Sequence, residues 1–180
     1  MNKKNQILKI ALVAIVIFIV VNNFIFIPGN ILSWDVFGYY LYLPLKFIYN
    51  DLGLNDNSII NGILEKYHNT ATFYQAMKMP EGNYVMKYSM GLSFFYAPFF
   101  FIGHIIANVF NYPADGFSLP YQYSIFIGGI IYSLIGIWAL SKVLMRFFSR
   151  TIVALVLVII VFSTNYIVHI TMYGQNAMSQ

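Results

Sequence analysis

The chain has 180 residues, 59% of them hydrophobic and only 9% charged, against about 25% charged in a soluble domain. No water-soluble core of this size buries so much apolar side chain, and disorder needs low hydropathy, so a soluble monomer and a disordered chain are both excluded. The absence of Cys removes disulfides, Cys-ligated zinc, iron–sulfur clusters and thiol nucleophiles, and the formal charge of +4 is not gathered into a nucleic-acid patch.

Four apolar runs follow in chain order: Ile7–Ile27, Met90–Phe110, Tyr123–Leu140 and Ile152–Ile170. Each has the length of a helix that rises roughly 27–31 Å, matching a hydrocarbon layer of about 30 Å. Backbone groups in lipid must be satisfied within the segment, so the runs are expected to be helices. None alternates as a barrel strand does. Run one follows Lys3, Lys4 and Lys9 as a signal peptide would, but no small-x-small cleavage site comes after it.

The next segment is dense in aromatics. Between Ser33 and Tyr49 lie Trp34, Phe37, Tyr39, Tyr40, Tyr42, Phe47 and Tyr49. Trp and Tyr favour the headgroup layer, so a helix lying flat on the membrane is expected over 33–49, with Ser33 as its N-cap. A plain aromatic belt is the alternative. Asp35 sits at the start of this helix. It either complements the helix N-terminus or faces a cavity, where it can take a proton from a hydroxyl or hold a metal.

Asn50–Asn57 has the polar residues of a calcium loop but not the ligand spacing, and it is expected to be a turn-rich loop. Ile59, Ile60, Ile63, Leu64 and Tyr67 have helical spacing. Met79-Pro80-Glu81-Gly82 is a turn. Lys87 stands just before the second apolar run, where it can meet either a substrate phosphate or any lipid headgroup.

Run two contains Pro98, Gly91, Gly103 and His104, which weaken it as a span. In run three, Gly128, Gly129, Ser133 and Gly136 suit close helix packing. Asn165 and His169 share one face near the end of run four.

Charge sets the expected topology. All six acidic residues lie between runs one and three, whereas Lys3, Lys4, Lys9, Lys142, Arg146 and Arg150 lie outside that stretch. Cytoplasmic ends collect Lys and Arg. The N-terminus and the Lys142–Arg150 loop are therefore both expected inside, which demands an even number of crossings between them. Run two is taken as the helix that does not cross. The expected fold is an all-α polytopic membrane protein with three spanning helices and two membrane-associated helices, at about 33–49 and 88–110. Its parts are an N-terminal transmembrane helix over 1–27, a long exoplasmic loop over 28–118, and two transmembrane helices within 119–180. Four full spans are the alternative. A folded exoplasmic module is disfavoured, because 28–118 is apolar and poor in turns.

Trp34–Asp56 and Tyr84–Phe101, with the pattern Lys87-Tyr88-x-x-Gly91 leading to Pro98-Phe99-Phe100, resemble the N-terminal part of GT-C-fold glycosyltransferases. These membrane enzymes take sugar from a polyprenyl-phosphate carrier, as protein mannosyltransferases and aminoarabinose transferases do. The resemblance implies sugar transfer on the outer face of a cell (inner) membrane, with a polyprenyl-phosphate sugar and membrane lipids as partners and no nucleic acid. It implies that Asp35 is the catalytic base or a metal-associated carboxylate, so a divalent cation is left open as cofactor. Lys87 would lie near the carrier phosphate, and Tyr39 and Tyr40 would line the cavity beside Asp35. Tyr88, next to Lys87 in the same motif, and His169, an ionisable group near the outer end of run four, are further candidate substrate contacts, with a plain interfacial position as the alternative for His169. The family has further spans, so the chain is expected to be the N-terminal part of a longer enzyme. A non-enzymatic membrane subunit, such as a transporter or flippase component, is the competing expectation.

Overall fold

The apolar runs become the longest helices in the computed structural model, which describes residues 3–25, 29–80 and 84–166. In chain order the elements are α1 (Lys3–Ile25), α2 (Trp34–Tyr40), α3 (Tyr42–Phe47), α4 (Asn57–Tyr67), β1 (Ala76–Lys78), β2 (Tyr84–Met86), α5 (Gly91–Val109), α6 (Leu119–Leu144) and α7 (Arg150–Ser163). Gln6–Ile25, Gly91–Val109 and Leu119–Leu144 are long and apolar enough to cross a membrane, while α7 is shorter at 14 residues. Run two thus has the length of a span, and α5 stays helical through Pro98. The chain is mostly helical, but β1 and β2 form an antiparallel pair that the all-α expectation omitted.

Two compact units divide the described residues. Unit one contains α1, the part of α6 from Gly129 onward, and α7. Its core is aliphatic: Leu8, Ile15, Ile19, Ile137, Val153, Ala154, Leu157 and Val161. Phe18 and Phe162 add an edge-to-face contact at 4.7 Å. Two amides in α1 stay within their own helix. Asn22 Nδ2 donates to the Phe18 carbonyl at 2.9 Å, and Asn23 Nδ2 donates to the Ile19 carbonyl at 2.8 Å. Polar groups bonded back in this way are tolerated in an apolar helix.

Unit two runs from Asn30 to Gly128 and has its own core. Residues 30–128 thus form a compact unit, against the expectation that 28–118 is too apolar and too poor in turns for a folded module. The aromatics supply the interior: Phe37, Tyr40, Tyr96, Phe100, Phe117 and Tyr121 are fully buried. The 33–49 segment is likewise not one flat surface helix. It is two short helices, α2 and α3, meeting at Leu41, and it buries Val36, Phe37, Gly38, Tyr40, Leu43, Pro44 and Leu45. Ser33 occupies the N-cap position of α2, but its hydroxyl donates to the Asn30 carbonyl at 2.9 Å instead of capping the helix.

The buried positions of α5 are Ser93, Tyr96, Phe100, Gly103 and Ala107, a single stripe at spacings of three and four. Phe94, Phe95, Phe101, Ile102, Ile105 and Val109 face outward and are exposed. The buried stripe mixes small residues with two aromatics, and the exposed face carries large apolar side chains that suit lipid. Gly103 permits close approach of α6: a Cβ there would meet Tyr121 Cα at 2.9 Å. His104 Nδ1 then lies 2.5 Å from the Tyr121 hydroxyl.

α4 forms where the apolar spacing predicts it. Asp56 accepts from the Ser58 amide at 2.8 Å, and Ile60 and Ile63 are buried. In the preceding loop, both carboxylate oxygens of Asp51 accept main-chain N–H groups, from Asn55 and Asp56. This is a turn held by a side chain.

Candidate functional site

Asp35 lies in the first turn of α2 and is exposed. The backbone before it is clamped. The Trp34 amide donates to the Asn69 carbonyl at 3.1 Å, and Gln75 Nε2 donates to the Trp34 carbonyl at 3.1 Å. Asn69 Nδ2 also donates to the Leu32 carbonyl. The stretch ahead of β1 is thus strapped across the start of α2.

The hairpin then delivers two phenols to one carboxylate oxygen. Ala76 pairs with Met86 in the register of β1 and β2. The pairing continues past the strands, because the Lys87 amide donates to the Gln75 carbonyl at 2.8 Å. One step further, Tyr74 faces Tyr88. Residues opposite one another in an antiparallel pair share a face. Tyr88 donates to Asp35 Oδ1 at 2.5 Å, and Tyr74 donates to the same oxygen at 3.1 Å. Burial, then the bond to Asp35, pushes the Tyr88 phenol well above its usual range, and Tyr74 is raised in the same direction, first by burial. Both therefore stay protonated near neutral pH and act as donors. Among the described residues Asp35 Oδ2 has no such bond.

α2 and Tyr88 fit tightly because residue 38 is glycine. A Cβ there would meet the Tyr88 ring at 2.3 Å. Tyr39 packs edge to face on Tyr88 at 4.8 Å, and Tyr42 donates to the Tyr88 carbonyl at 2.5 Å. Lys87 is exposed, with its ammonium 6.0 Å from the centre of the Tyr74 ring. Among the described residues the only ion pair is Lys66–Asp115, so Lys87 has no carboxylate partner.

Beside this cluster, between α3 and α5, lies an apolar groove of about 250 Å³. Leu43, Phe47, Phe94 and Ala97 line it, with Tyr42, Lys46 and Ser93 as its polar members. Tyr42 belongs to both the groove and the cluster.

The structure brings Asp35, Tyr88 and Tyr39 together, with Lys87 on the adjoining Tyr74 ring. It does not place Tyr40 there. Tyr40 is fully buried and donates to the Gly116 carbonyl at 2.5 Å, so it belongs to the core. His169 lies outside the described residues. Among the described residues, no three His, Asp or Glu side chains come together as metal ligands.

The sequence reading passed over Tyr74. Its signal was the alternation Tyr84, Met86, Tyr88 across a Met79–Gly82 turn from Tyr74, Ala76 and Lys78. It also passed over Asp115. This carboxylate accepts from Lys66 at 2.8 Å and Tyr67 at 2.5 Å, and from the amides of Phe117 and Ser118 at 3.0 and 3.2 Å. Burial alone would raise its pKa, but Lys66, Tyr67 and the Phe117 amide outweigh burial and hold it below the ordinary value. Burial, together with Asp115, pushes the Tyr67 phenol up to about 12. With four donors satisfied, Asp115 is a structural anchor, whereas Asp35 keeps one oxygen open. No protein family, curated protein or solved structure matches the chain.

Proposed function

We propose that the chain carries the donor-facing part of a membrane glycosyltransferase, which moves a sugar from a polyprenyl-phosphate carrier to an acceptor on the outer face of the membrane. The observation that carries this reading is the asymmetry of Asp35: one oxygen is anchored by two tyrosines and the other is open, while the Lys87 ammonium lies over the ring of one of those tyrosines, Tyr74, and an apolar groove shares Tyr42 with the cluster. A carboxylate fixed in this way keeps its geometry while one oxygen stays available to take a proton. In the proposed step, the acceptor O–H gives its proton to Asp35 Oδ2. The acceptor oxygen bonds to the anomeric carbon, and the bond from that carbon to the phosphate oxygen breaks with its electron pair going to the phosphate. Lys87 balances the charge on the departing phosphate. The groove of Leu43, Phe47 and Phe94 offers an apolar bed for the carrier chain.

The proposal includes a topology. α1 crosses outward, unit two lies on the exoplasmic side with α5 resting against or within the membrane, and Lys142–Arg150 is inside, which makes the protein multi-pass in the cell membrane. A tag placed after Leu144 is expected to be protected from the medium, and accessibility there would remove the outer-face site.

The catalytic test is Asp35→Asn in the full-length protein. Transfer from a polyprenyl-phosphate sugar is expected to fall about 10²–10⁴-fold while membrane insertion is unchanged. Retained transfer would remove Asp35 from the mechanism. Absence of transfer in the parent protein, for any such donor, would favour the non-enzymatic subunit.

A further inference from the structure

Unit one contains a second cavity, of about 370 Å³, lined by the start of α1, the end of α6 and Arg150 at the start of α7. Its walls divide by chemistry. Leu8, Leu12, Val13 and Met145 give it an apolar side, here called its floor, and Lys9, Lys142 and Arg150 bring three cations from three different helices. The Lys142 ammonium lies 5.6 Å over the ring of Trp138, which also lines the cavity. That contact is within cation–π range.

This positive charge has no internal counter-ion. Every acidic residue of the chain lies between Asp35 and Asp115, outside unit one. The one ion pair among the described residues, Lys66–Asp115, is in unit two. Three cations around one cavity call for an anion, while the Leu floor calls for hydrocarbon. A free phosphate would leave the floor wet, and an uncharged lipid would leave the cations unpaired. The cavity also lies near the ends of two helices long enough to cross a membrane. The ends of a membrane-crossing helix stand at headgroup depth, where Trp collects and basic pockets between helices hold phosphate-bearing lipids.

We propose that this cavity binds the phosphate headgroup of an anionic bilayer lipid, with the lipid's chain laid against α1. The site is separate from Asp35 and does not rest on the enzyme reading.

Trp138 is a built-in reporter, because the chain has two Trp and Trp34→Phe leaves it alone. The full chain carrying that change is placed in phosphatidylcholine vesicles and titrated with brominated-chain phosphatidylglycerol or brominated-chain phosphatidylcholine. Half-quenching of Trp138 is expected at a roughly tenfold lower mole fraction of the phosphatidylglycerol. Lys142→Gln with Arg150→Gln is expected to merge the two curves, and Lys142→Arg with Arg150→Lys to keep them apart. Equal amounts of inorganic phosphate are expected to leave the curves in place. Coincident curves in the parent, or a separation that survives the double Gln change, would overturn the proposal. So would inorganic phosphate shifting the phosphatidylglycerol curve onto the other, since the site would then take a free anion.

Discussion

Unit two closes around Tyr40, Phe37, Phe100 and Phe117, whose rings meet at 5.7–6.0 Å in tilted or edge-to-face pairs, whereas unit one closes along an aliphatic seam of Ile15, Ile19, Leu157 and Val161. The polar groups differ in the same way. In unit two, phenols bond across long stretches of chain: Tyr40 to Gly116, Tyr49 to Asp115 and Tyr42 to Tyr88. In α1, Asn22 and Asn23 bond back to carbonyls four residues away, although Tyr166 of the same unit donates across the chain to the Ser133 carbonyl at 3.1 Å. A buried phenol must find one acceptor in one place, so each such bond selects a single arrangement. Aliphatic contact is non-directional and tolerates repacking. The difference teaches where a geometrically exact surface site can be built, and Asp35 lies on the unit whose interior is pinned by directional bonds.

The largest effect should come from the site itself, as the Asp35→Asn loss of transfer described above. Gly38→Ala tests whether unit two positions that site. The added methyl is expected to push the Tyr88 ring off Asp35 and to lower transfer with Asp35 intact, measured as turnover beside unchanged insertion. Core truncation sets the two interiors against each other. Phe100→Ala should cost about 3–5 kcal/mol, and Leu157→Ala about 2–5 kcal/mol. Limited proteolysis with each variant should show the first change opening 30–128 and the second opening α1 and α7. Tyr40→Phe is expected to cost about 1–3 kcal/mol, because the Gly116 carbonyl loses its buried donor.

The smallest effect is pH dependence. The folded-state pKa of Asp115 is lowered, so its contribution is present above the ordinary carboxylate value of about 3.9 and is lost as pH falls through the lowered one. The Lys66 ammonium is raised, first by its bond to Asp115, so its contribution persists through neutral pH and fades only in strong alkali. Thermal stability should therefore fall below about pH 4, and Asp115→Asn should flatten that acid limb. An acid limb unchanged in Asp115→Asn would assign it to another group.

The long helices were legible because hydropathy over about 20 residues has few readings. α4 was legible from Ile59, Ile60, Ile63 and Leu64, and Asp35 was singled out by its isolation among aromatics. The interior of unit two was not legible. A run rich in Tyr and Phe has the same composition whether it faces a headgroup layer or a core, and only the partners decide which. Tyr40 and Tyr39 are neighbours in sequence, yet one is sealed in the core and the other packs on Tyr88. The Tyr74–Tyr88 pair was hidden because each strand spans only three residues, too short for its alternation to stand out.

Asp115 and Gly116 also impose an order on synthesis. The hydroxyls of Tyr40, Tyr49 and Tyr67 and the Lys66 ammonium all wait for acceptors at these two positions, which the ribosome makes last among them. Until residue 116 is made, these donors on α2 to α4 are left to water. The bonds that pin α2 to α4 can therefore close only after residues 115 and 116, just ahead of α6, have been made.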